Sequence, residues 1–191
     1  MTIKLTYPPK SKMRSGRRFL LSILRWPFIA AAIACPIVNL AVGGPAWSIV
    51  VLLSLYAVWT MVLSTDLVEY NRTSQTIKTV VFICVLLTLI DVLLAPGWAA
   101  FVVPLVYFGG IILSSVLFFT NFEKQKHNIL PLILFLFFGI LGSAVALSIW
   151  HEHDFWPYIV TGCASLLCLV VIIISMGQDF LRELKRRFHV K

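Results

Sequence analysis

Polar residues are unevenly spread along this chain, and the gaps between them set the first expectation. Six apolar stretches stand out: Trp26–Val42, Ala46–Ser64, Thr79–Ala95, Ala99–Phe119, Ile129–Trp150 and Tyr158–Met176. Each approaches the roughly 20 residues that an α-helix needs to cross a bilayer core. The first extends back to Phe19 if Arg25 carries its guanidinium to the interface. Lipid offers a backbone no hydrogen-bond partner, so every span is expected to be helical. The fold class expected is all-α integral membrane, with six transmembrane helices over residues 19–176. A basic segment (1–18) precedes them, and an amphipathic helix (177–191) follows.

Composition supports this reading. Hydrophobic residues make up 60% of the 191 and charged ones only 13%, whereas soluble domains are about one-quarter charged. A core of this size cannot bury so much apolar side chain. The net charge of +8 would suit nucleic acid, but the cations flank apolar runs. That placement fits an anionic leaflet, and no nucleic-acid partner is expected. Cys35, Cys84, Cys163 and Cys168 all lie inside apolar runs with no C-x-x-C pair. They read as small hydrophobes, with no disulfide or structural zinc implied.

The cations also orient the chain. Seven precede the first span, Arg72 and Lys78 separate the second from the third, Lys124 and Lys126 the fourth from the fifth, and five follow the sixth. The connections around GGP, APGW and HEHDFWP hold none. Because Lys and Arg concentrate on the cytoplasmic side, both termini are expected there, in the cell membrane.

A threefold pattern overlies the spans. Each external turn leads into a helix-opening tryptophan, Trp47, Trp98 or Trp156. A polar residue precedes each by seven or eight positions: Asn39, Asp91 and Ser148. Three helical hairpins in parallel orientation follow, either as a true repeat or because similar turns meet the same interface. Gly109, Gly110, Gly139, Gly142, Ser143, Gly162 and Ser165 mark close helix packing, and Pro36 and Pro104 are candidate kinks.

Candidate chemistry is sparse. Asp91 is the one ionisable residue within a span, and such a group is by default a functional candidate. It has several options: reaching water, staying protonated, or bonding to Asn39 or Thr88 as a clamp between hairpins one and two. In HEHD, His151 and His153 with Glu152 and Asp154 read as a polar turn in contact with water, or as a pH-responsive cluster. Zinc held by His151, His153 and Asp91 is the metal alternative; no cofactor is expected. After Gly177, one face carries Phe180, Leu181, Leu184 and Phe188, while Arg182, Lys185, Arg186 and Arg187 offer charge to lipid or to a partner protein. No G-x-S-x-G, H-E-x-x-H or paired intramembrane aspartate occurs, so an enzyme is not expected.

Several short strings carry a resemblance: YPP at Tyr7–Pro9, Asn39 with Trp47-Ser48, LIDVLLAPGW at Leu89–Trp98, FWP at Phe155–Pro157, and LRELKRRFH near the end. Together the chain resembles a family of uncharacterised small bacterial membrane proteins, many with an N-terminal zinc ribbon that is lacking here. The resemblance implies no transferable activity. Some members are associated with loci for acyl-transferring enzymes, which implies an accessory role. The functions expected are therefore a non-catalytic scaffold or accessory module, or a small solute or proton transporter. In the transporter, Asn39, Asp91, Ser148, His151 and His153 would line an outward vestibule.

Overall fold

The computed structural model describes residues 15–63, 72–120, 122–125, 129–149 and 156–177. Among them every regular element is helical: α1 (Ser15–Val42), α2 (Trp47–Val58), α3 (Arg72–Leu93), α4 (Ala99–Thr120), α5 (Phe122–Gln125), α6 (Leu130–Ile149) and α7 (Trp156–Met176). Five helices are long and apolar enough to cross a membrane, over Ser22–Val42, Arg72–Leu93, Ala99–Thr120, Leu130–Ser148 and Trp156–Met176.

The second expected span is not among them. Its apolar run, Ala46–Ser64, forms a 12-residue α-helix that continues as a π-helical turn, Trp59–Leu63. At the junction the Trp59 amide is shared between the carbonyls of Leu55 and Tyr56. The Thr60 hydroxyl donates to Tyr56 at 2.8 Å and lies 3.4 Å from the Ala57 carbonyl. Widening the helix shortens its rise, a change that composition gives no sign of. The third span also departs from expectation. It begins at Arg72, two turns before Thr79, so Arg72 and Lys78 lie on a helix rather than in a connection.

The chain divides into two units, Met1–Gly44 and Pro45–Lys191. The first contains α1, with Pro27 and Pro36 inside it, which begins at Ser15 rather than Phe19. The second is a bundle in which α4 packs against α3, α6 and α7. Within it α6 also packs against α7. Ile111 and Phe118 of α4, Leu132, Phe135 and Leu136 of α6, and Ile172 of α7 form the centre of the core, each at most 2% exposed.

Small residues set the close approaches. A Cβ on Gly110 would come within 2.5 Å of Val80 Cγ1, so α3 and α4 meet nearly backbone to side chain. Gly139 would collide with Ser165 and Tyr107, and Gly162 would press on Ser143. Where apolar burial between helices supplies little drive, contacts of this kind hold them together. Gly109 and Gly142, by contrast, face open space. The outer faces carry large hydrophobics, including Ile112, Leu113, Val116, Phe138, Leu167 and Ile174. Such faces suit a lipid solvent.

Candidate functional site

Asp91 occupies the last turn of α3. One of its carboxylate oxygens, Oδ1, accepts the backbone N–H groups of Gly97, Trp98 and Ala99, each at 2.9 Å. These amides open α4 and have no partner within that helix, so the carboxylate caps it from the preceding helix. The negative charge also opposes the positive end of the α4 dipole. Gly97 makes the reversal feasible with φ of 114°, a conformation side chains disfavour. The Thr88 hydroxyl donates to the Cys84 carbonyl at 2.9 Å rather than to Asp91.

Of the other expected site residues, Asn39 and Ser148 are described. Asn39 belongs to the first unit, where its backbone carbonyl accepts the Gly43 amide at 2.9 Å. Ser148 donates to the Val145 carbonyl on its own helix at 2.8 Å. His151, Glu152, His153, Asp154 and the C-terminal cations Arg182, Lys185, Arg186 and Arg187 lie outside the described residues. Among the described residues no three His, Cys, Asp or Glu side chains are grouped to hold a metal.

Sequence reasoning passed over a second set of polar groups, those joining helices inside the bundle. The Tyr107 hydroxyl donates to the Phe135 carbonyl at 2.5 Å, and the two rings stack with centroids 4.3 Å apart. Thr161 of α7 donates to the Pro104 carbonyl of α4 at 3.0 Å and also lies 2.7 Å from the Pro157 carbonyl. Ser115 Oγ sits 2.9 Å from Cys168 Sγ while donating to the Ile111 carbonyl at 2.6 Å. At the far end from Asp91, Thr73 donates to Gln125 Oε1, and Gln125 Nε2 donates to the Leu117 carbonyl at 3.1 Å. Hydroxyls at isolated positions of apolar helices are the available signal for Tyr107, Ser115 and Thr161. Thr73 and Gln125 lie in stretches that read from the sequence as connections between spans, where a polar side chain stands out least.

Among the described residues these polar groups are used in helix caps and helix–helix contacts. The sequence profile of a family of unknown function (DUF6320) matches residues 7–190. The chain belongs to that family. No curated protein and no solved structure matches it. Family membership therefore agrees with an uncharacterised activity, and the DUF6320 match takes in both units of the fold.

Proposed function

We propose that the chain is a non-catalytic module of the cell membrane, an accessory or scaffold subunit that crosses the bilayer six times. Both termini lie on the cytoplasmic side, as the distribution of Lys and Arg favours. The apolar run Trp47–Met61, though short, makes the second pass. The cationic residues Arg182, Lys185, Arg186 and Arg187 offer the cytoplasmic face to anionic lipid or to a partner protein.

The observation that carries this reading is the use made of Asp91. A transporter with an outward vestibule needs its intramembrane carboxylate aimed at a passage, whereas Asp91 accepts three backbone amides of its own turn. The hydroxyls of half-buried Tyr107 and buried Thr161 are likewise directed across helix–helix contacts. Purification from native membranes in mild detergent tests the proposal. A stable partner in fixed stoichiometry supports it. A clean monomer that moves protons or a solute in proteoliposomes, with flux lost in Asp91→Asn, establishes the transporter instead.

A further inference from the structure

The α3–α4 pair is fastened at both ends, and the two fastenings are unequal. At one end Asp91 accepts three amides across a reversal that also joins the helices covalently. At the other end Gln125 of α5 bridges them. Its Oε1 accepts the hydroxyl of Thr73, in the first turn of α3, and its Nε2 donates to the Leu117 carbonyl at 3.1 Å. That carbonyl is among the last four of α4, which have no partner within the helix. The register agrees with the bridge. Val80 faces Gly110, and counting the same distance along each helix (80 to 73, 110 to 117) brings Thr73 level with Leu117.

This second fastening depends on α5 alone. The element is one turn, Phe122–Gln125, too short to hold its own helical form. Besides the two bonds of Gln125 it has the half-buried Phe122 ring, which meets Phe118 edge-on with centroids 5.5 Å apart.

What lies beneath is polar. Thr73, Ser74, Ser114 and Gln125 are all buried at this end. Ser114 sits one turn deeper than Phe118 on the same face of α4 and is 0% exposed. Its hydroxyl has no hydrogen-bond partner, whereas those of Ser115, Thr161 and Ser165 all donate to carbonyls. A buried donor without an acceptor carries a desolvation cost that contact with water returns. The closed position of α5 is therefore held against a cost, by two hydrogen bonds and one ring contact.

We infer that α5 is a strap that opens and closes over this polar stretch of the core. On opening, Gln125 leaves Thr73 and Leu117, Phe122 parts from Phe118, and water reaches Thr73, Ser74 and Ser114. Asp91 keeps the opposite end shut, so the α3–α4 pair opens from one end only.

Thiol modification of the full chain in detergent tests this. Cys35 and Cys163, the less buried native cysteines, are replaced by alanine, and Ser114→Cys places a thiol of similar size under the strap. Reaction with N-ethylmaleimide is followed at each cysteine by peptide mass spectrometry. Buried Cys84 reports any general loosening in the same molecule. Gln125→Leu, which keeps the bulk and loses both bonds, is expected to speed reaction at position 114 several-fold and leave Cys84 unchanged. No acceleration at 114, or an equal one at both thiols, overturns the inference. Amide hydrogen exchange gives a check without a label. Ser114→Ala removes the unpaired hydroxyl and with it the gain on opening. Exchange in the last turn of α4 is then expected to slow several-fold, while the amides held by Asp91 exchange as before. Unchanged or faster exchange in that last turn overturns the inference as well.

Discussion

The Asp91 carboxylate lies 2.9 Å from the amide of Ala99, and through that contact the end of one helix sets the start of the next. Gly97 and Trp98 donate to the same oxygen, so the α3–α4 reversal is built around a single acceptor. Removing the acceptor orphans three amides in a turn that also carries a positive-φ glycine. Asp91→Ala is expected to lower the melting temperature in detergent, whereas Asp91→Asn, which keeps an acceptor oxygen, retains more of it. Equal loss in both variants would mean that charge rather than acceptance matters. No loss in either would remove the turn from the account.

Adjacent glycines in α4 give a second, internally controlled prediction. Gly110 faces Val80 at a distance no Cβ tolerates, while Gly109 faces open space. Gly110→Leu is expected to destabilise by about 1–3 kcal/mol through overpacking. Gly109→Ala should be neutral or stabilise by up to about 1 kcal/mol, since alanine is the better helix former. Denaturant titration of the two variants measures the difference directly. Similar effects from both would contradict the α3–α4 packing described.

Tyr107 offers a subtler test. Tyr107→Phe removes the hydroxyl from the Phe135 carbonyl but keeps the ring stack. The expected cost is about 0.5–1.5 kcal/mol, typical of one hydrogen bond and at the upper end for helices in a membrane. Tyr107→Leu removes the stack as well and should cost more. Unfolding of both by denaturant titration in detergent decides the order.

These residues also show what the sequence could and could not convey. The ends of α4, α6 and α7 were legible to within about two residues, because an apolar run in lipid has little choice but to be helical until polar groups resume. The start of α3 was not. Helical structure continues from Thr79 back to Arg72 through residues too polar to register as a span, supported there by Thr73 on Gln125. The π-helical end of α2 was invisible for another reason: an apolar helix has no polar face whose phase could reveal a change of pitch. Asp91 stands out in the sequence as the charge within an apolar run, seven residues before Trp98. Its partners were missed because a cap that reaches forward across a reversal has no local signature like the three-residue capping box. Gly110, Gly139 and Gly162 were read correctly as sites of close approach, while Gly109 and Gly142, identical in sequence terms, face outward.

The central claim is that α4 carries the chain from one side of a bilayer to the other, and accessibility at its two ends measures this most directly. Ala95→Cys lies in the turn before α4 and Thr120→Cys at its last residue, both exposed. Treated with a membrane-impermeant maleimide and compared with the native chain, intact cells are expected to label Ala95→Cys at once. Thr120→Cys should label only after permeabilisation. Equal labelling of both positions in intact cells would contradict the account.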